Sequence, residues 1–314
     1  KKYQLTFIAG VTMKVDDINF KFFHINKWDN GEFKGDAIST TSELVKISSD
    51  GNLGLEEGQK FERGGIYRFT VDVTKGNTKA VLTVEKVGKV DLPAPDIFFG
   101  NDKMEVTDTD IYKSDQAFTQ GQMITVTGID NLNEWWIDPD FFEKQSDGAL
   151  KFLPINGDYR VTANAVLKYF SVMALKDGKP AKLQDDGTGA IWAIGKGIGK
   201  PSVTSSEVGW EPSKALCLAQ VASKKYQLTL KAGETLKTSG DPEVISFKFF
   251  HQNDWGGEFG NYANSILVEQ LKLADSGNLE MQDNKAFEEG AVYRFTIDVT
   301  NGNANADLKV EKIN

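Results

Sequence analysis

The sequence predicts an all-β protein made of three tandem antiparallel β-sandwich domains, and three observations carry that expectation. Apolar and polar residues alternate with period two in several stretches, the mark of strands with one buried and one wet face. Turn signals rich in Gly, Asn and Asp separate those stretches. A long segment near the start also returns near the end.

The repeat is dense. Lys1-Lys2-Tyr3-Gln4-Leu5-Thr6 recurs as Lys224-Lys225-Tyr226-Gln227-Leu228-Thr229, and Phe20-Lys21-Phe22-Phe23-His24 recurs as Phe247-Lys248-Phe249-Phe250-His251. Trp28 matches Trp255, Glu32-Phe33 matches Glu258-Phe259, and Gly51-Asn52-Leu53 matches Gly277-Asn278-Leu279. Tyr67-Arg68-Phe69-Thr70 through Asp72-Val73-Thr74 closes the first copy and returns as Tyr293-Arg294-Phe295-Thr296 through Asp298-Val299-Thr300. One module was therefore duplicated around an unrelated middle segment. A second copy raises avidity in a binding protein, whereas a second active site across a spacer rarely serves an enzyme.

Taken in order, residues 1–90 form copy one, with strands expected at Tyr3–Phe7, Tyr67–Val73 and Val81–Val84. Asp91-Leu92-Pro93-Ala94-Pro95 reads as a stiff linker. Residues 91–187 form the middle domain, with strands at Met123–Thr127, Tyr159–Ala163 and Tyr169–Met173. Between them Asp138 reads as the N-cap of a short helical turn, with Pro139 at its first position. A second linker, Asp185-Asp186-Gly187-Thr188-Gly189, leads into copy two at 188–314. Copy two carries two apolar segments ahead of its Lys-Lys-Tyr strand, Ala190–Gly195 and Ala215–Leu218, with no counterpart before Lys1. Copy one is therefore expected to lack its N-terminal strands and to show an unpaired strand edge, a partner chain filling that edge, or a large exposed apolar groove. The natural protein is expected to continue upstream with a segment like 190–223, preceded by a lipidated signal sequence.

Composition narrows the function classes. Thirty Gly, twenty Phe and six Trp beside eight Pro suit strands and turns. A net charge of −9 with no Lys/Arg cluster argues against nucleic acid. No apolar run is long enough to span a bilayer as a helix. The single Cys217 lies in an apolar run and reads as a core thiol.

The motif Phe247-Lys248-Phe249-Phe250-His251-Gln252-Asn253-Asp254-Trp255-Gly256-Gly257, with Ile191-Trp192-Ala193-Ile194-Gly195 upstream, resembles the modules of SusE/SusF-like proteins. The resemblance covers the third domain and part of copy one, and extends more weakly to the middle domain. It implies immunoglobulin-like or carbohydrate-binding-module-like sandwiches in surface lipoproteins of Bacteroidetes polysaccharide-utilisation systems. It also implies non-catalytic capture of an oligo- or polysaccharide at the outer membrane, beside a glycan transporter complex. Contact with the membrane would run only through a lipid anchor that this chain does not contain.

Glycan binding needs an aromatic face for the C–H surface of a sugar ring and nearby side chains for its hydroxyls. Asn253, Asp254, Trp255 and Glu258, with Tyr262 just beyond, offer both, and copy one offers Trp28 and Asp29. Trp28 and Trp255 can equally be plugs that close the sandwich. Trp210 sits in a Gly/Pro-flanked loop and is expected to face outward. In the middle domain Trp135 and Trp136 are neighbours, so on a strand one fills the core and the other faces a sugar or another domain.

Catalytic and cofactor signals are thin, and none of either kind is expected. His24 and His251 occupy equivalent places without partners at metal spacing. Gly195-Lys196-Gly197-Ile198-Gly199-Lys200-Pro201 fits no phosphate-loop spacing. The rival readings are a structural, adhesin-like spacer and a glycosidase with two facing carboxylates.

Overall fold

The computed structural model describes the chain except residues 16, 27–30, 93–94, 109, 130 and 239–243. It divides into two compact units, Lys1–Ala94 and Pro95–Asn314. Both are built of strands, and the protein is all-β with β-sandwich modules in tandem.

In the first unit β1 (Lys2–Ile8), β5 (Gly65–Asp72), β6 (Ala80–Lys89) and β2 (Ile38–Thr40) form one sheet in the order β1-β5-β6-β2. A hairpin of β3 (Val45–Ile47) and β4 (Leu53–Leu55) faces it. Val45, Leu53, Phe61, Phe69 and Leu82 fill the space between them. The expected alternation is clear in β5, whose residues are buried and half-buried in turn.

The second unit holds the middle module and copy two. In the middle module β9 (Glu105–Asp108), β10 (Ile111–Phe118), β15 (Gly157–Asn164), β16 (Tyr169–Lys176) and β17 (Lys179–Pro180) form the main sheet. Shorter strands make two small sheets. One joins β7 (Phe98–Phe99), β8 (Asp102–Lys103) and β12 (Val126–Thr127), and the other joins β11 (Met123–Ile124), β13 (Phe142–Lys144) and β14 (Leu150–Phe152). Asp138 does cap a single turn: its carbonyl accepts the amides of Phe141 and Phe142 at 3.1 and 2.9 Å, and its Oδ1 accepts that of Asp140 at 3.1 Å.

Copy two is a two-sheet sandwich. One sheet contains β21 (Ala219–Ala222), β22 (Lys225–Lys231), β27 (Val292–Asp298), β28 (Asp307–Lys312) and β24 (Asn264–Ile266). The other contains β19 (Glu207–Gly209), β18 (Trp192–Gly199), β23 (Ser246–Phe250), β26 (Leu279–Met281) and β25 (Leu271–Leu273), with β20 (Leu216–Cys217) also on β18. Each copy adds one parallel pair to an otherwise antiparallel pattern, β2 on β6 and β24 on β28.

The structure explains why particular repeat residues were kept. Gly51 and Gly277 both take φ +84°, and a Cβ there would stand 1.9 and 2.5 Å from the carbonyl oxygens of Phe33 and Phe259. Asp72 and Asp298 accept the amides of Thr74 and Thr300 through Oδ1 at 2.8 and 2.9 Å, closing the turn after β5 and β27.

The middle module and copy two share one continuous core. The segment 185–189, expected as a linker, is a tight turn in which Gln184 N–H donates to the Thr188 carbonyl at 2.8 Å. The Tyr226 hydroxyl donates to the Gly187 carbonyl at 3.0 Å. Backbone bonds cross the junction as well, with Ile155 N–H donating to the Gln220 carbonyl at 2.8 Å and Leu183 N–H to that of His251 at 2.8 Å. The middle module thus covers the β21 edge of copy two.

Candidate functional site

Two loops of copy two meet to form an aromatic shelf. The first follows β19, where Gly209 at φ +58° turns the chain and Trp210 follows it. The second follows β23, and Gly256 and Gly257, both at positive φ, let it double back after Trp255. Its fold is held locally. Trp255 N–H donates to Asp254 Oδ1 at 2.8 Å, Gln252 Nε2 donates to the Trp255 carbonyl at 2.7 Å, and His251 N–H donates to the Gly257 carbonyl at 2.7 Å.

The rings of Trp210 and Trp255 lie near-parallel, with centroids 6.3 Å apart and 25° between planes. That separation describes an offset pair. Trp255 is 52% exposed and rests edge-on against the buried Phe250. Trp210 is half-buried against the core. Trp255 is therefore a surface residue rather than an interior plug. Asp254 and Glu258 are exposed beside it and Asn253 is half-buried, so carboxylate and amide side chains flank the shelf.

The other expected site residues are distributed differently. Tyr262 is half-buried with its ring parallel to Phe259 at 5.7 Å, and His251 meets the same Phe259 edge-on. The Tyr262 hydroxyl and His251 Nε2 are buried with no hydrogen-bond partner among the described residues. Burial pushes the Tyr262 phenol up and the His251 imidazole down. Trp28 and Asp29 lie outside the described residues.

The middle-domain pair needs a correction as a sugar platform. Trp135 is buried and stacked on Phe170 at 4.6 Å, so it presents no face to a ligand. Trp136 is half-buried, and its Nε1 donates to Glu234 Oε1 of copy two at 2.6 Å. Of the two roles open to an outward Trp136, the structure shows the contact between modules.

A second constellation was invisible in the sequence. Lys200, just past β18, is fully buried, and its Nζ donates to both oxygens of Asp138 at 2.8 Å and to Asp140 Oδ2 at 3.1 Å. Asp140 Oδ1 also accepts from Gln227 Nε2 at 2.7 Å and Thr229 Oγ1 at 2.6 Å, and its Oδ2 accepts from Thr229 N–H at 2.6 Å. Burial pushes the Asp138 carboxyl up while the Lys200 charge pulls it back. Burial acts the same way on Asp140, but Lys200 and the Thr229 and Gln227 donors outweigh it and hold that carboxyl down. Burial works against the Lys200 charge, and the two carboxylates override it. The cluster lies at one side of a cleft of about 640 Å³, whose walls include Thr162, Tyr169, Ser171 and Ser205. With every Lys200 proton engaged, it is a clamp between modules.

The Gly-rich stretch before Lys200 is the strand β18. Gly195 is required there, because a Cβ would stand 2.3 Å from Phe247 Cα on the paired strand. Cys217 is buried and its thiol is pushed up to about 12 by burial. Among the described residues no group of His, Cys, Asp and Glu is arranged to hold a metal.

Comparison with curated proteins returns no match. A family described as a domain of unknown function (DUF5125) matches residues 90–183, the middle module. A second, also described as a domain of unknown function (DUF5121), matches residues 1–74 and 186–300, the two copies of the repeat. These two stretches make up more than half of the chain, which therefore belongs to the DUF5121 family.

Proposed function

We propose that this protein is a non-catalytic glycan-binding protein of the SusE/SusF-like kind, and that copy two binds an oligo- or polysaccharide on the Trp210–Trp255 shelf. The observation that carries this reading is the offset Trp pair, presented by two glycine-turned loops with Asn253, Asp254 and Glu258 at its margin. A pyranose ring is flat and apolar on one face, and such a pair offers it a stacking surface. The carboxylate and amide groups alongside suit its equatorial hydroxyls. In this reading the full-length protein is lipid-anchored at the cell surface of the outer membrane and hands glycan to a transporter complex.

Affinity electrophoresis against a panel of polysaccharides, with reducing-sugar release followed in parallel, tests the proposal. Retardation by at least one glycan without sugar release is expected. Trp255→Ala should weaken that retardation at least about tenfold, or about 1.4 kcal/mol, with an unchanged thermal midpoint. Sugar release, the absence of retardation throughout the panel, or retardation indifferent to Trp255→Ala and Trp210→Ala would overturn it.

A further inference from the structure

The two copies of the repeat share a sequence but differ in cover. In copy two Tyr226 and Leu228 on β22 are fully buried, whereas their equivalents Tyr3 and Leu5 on β1 are 59% and 50% exposed. Phe247, Phe249 and Phe250 are buried, whereas Phe20 and Phe22 are half-buried and Phe23 is 36% exposed. The Phe-Lys-Phe-Phe stretch before His251 is part of strand β23 in copy two, paired with β18 from Trp192↔Phe250 to Lys196↔Ser246. Among the described residues the same stretch of copy one is assigned no strand and carries isolated bridges, Phe20 to Leu53 and Phe23 to Glu32. Among the described residues β1 is an edge strand, whereas β22 carries β21 on that side. A cavity of about 290 Å³ opens there, lined by Tyr3, Phe22, Phe23, Phe33 and Val71.

We infer that this open face of copy one is a docking surface for a β-strand pair with the sequence pattern of residues 190–222. Copy two defines the occupant, because its own 190–222 segment covers the equivalent face. One strand pairs along Phe20–Phe23 and places a large aromatic opposite Phe23, as Trp192 stands opposite Phe250. It needs glycine opposite Phe20, as Gly195 stands opposite Phe247 with no room for a Cβ. The second strand adds to β1 with small residues, as Ala219 and Ala222 add to β22. Residues 190–222 are themselves engaged in copy two, so the occupant is another segment with their pattern.

The test is the full chain with a second copy of residues 190–223 fused ahead of Lys1. Hydrogen exchange of residues 1–8 is followed by mass spectrometry, with β22 as an internal standard. The fusion should slow exchange across residues 1–8 by at least about tenfold and leave β22 unchanged. A control fusion carrying Gly195→Val and Gly197→Val in the added segment alone should leave residues 1–8 as fast as in the unfused chain. Unchanged exchange in the first fusion would overturn the inference, as would equal protection by the control. A concentration-dependent dimer of the unfused chain, with residues 1–8 already protected, would make a second copy the occupant and overturn it too.

Discussion

Replacing Lys200 with Met tests the clamp that joins the middle module to copy two. The side chains of Lys200, Asp138 and Asp140 are 2%, 5% and 1% exposed, so the three bonds that Lys200 Nζ makes are shielded from bulk solvent. Two carboxyls would then face each other in a buried site at the side of the cleft. Removing one partner of a buried pair costs about 3–5 kcal/mol, because the remaining charge is left uncompensated. For a unit of this size each kcal/mol lowers the midpoint by about 2–4 °C, which predicts a fall of roughly 6–20 °C. The transition is read by tryptophan fluorescence and calorimetry, with urea titration for the free energy. The double variant Lys200→Met, Asp138→Asn removes two of the three charges, leaves Asp140 its Thr229 and Gln227 donors, and should recover part of the loss. A Lys200→Met variant within about 1 kcal/mol of the parent, or a double variant no better than the single one, would refute the argument.

Three further outcomes are expected. Trp135→Ala should cost about 3–5 kcal/mol in urea unfolding, as truncation of a buried aromatic does, while Trp255→Ala should stay within about 1 kcal/mol. Glu62, between Lys86 and Lys89, has its carboxyl held down to about 2, chiefly by the Lys86 hydrogen bond and then that of Lys89. Its folded value lies below the unfolded one, so its contribution is fully present above the ordinary carboxylate range and is lost as pH falls towards 2. Carbon-detected NMR titration should place the Glu62 midpoint near 2, and Lys86→Met should raise it. Cys217, buried with its thiol raised to about 12, should react with iodoacetamide in urea but not in native buffer at neutral pH.

Local patterns carried much of the architecture. Alternation placed β1, β5, β6, β15 and β16, the repeat then placed β22, and turn glycines such as Gly51 and Gly277 act through backbone geometry that a few residues determine. The Trp210–Trp255 shelf was half legible. Both residues were candidates, but only the packing of Trp255 against Phe250 shows it on the surface. The clamp was not legible, because Lys200 is sixty or more positions from Asp138 and Asp140 and nothing local marks a lysine as buried. Trp135 and Trp136 could not be told apart for the same reason. Their environments come from Phe170 and from Glu234, which the fold brings from elsewhere. Even strand formation proved nonlocal, since Phe20–His24 and Phe247–His251 are identical in sequence and only the second has β18 beside it.

The charge cluster also bears on inheritance. Asp138 and Asp140 lie in the stretch matched by one family, and Lys200 lies in the stretch matched by the other. A gene rearrangement that parted the two would leave a carboxylate pair on one product and a lone lysine on the other, each in a surface shaped for burial. The two families are therefore expected to travel together wherever a lysine occupies this position. Where copy-two modules occur without the middle module, that lysine should be replaced by an uncharged residue.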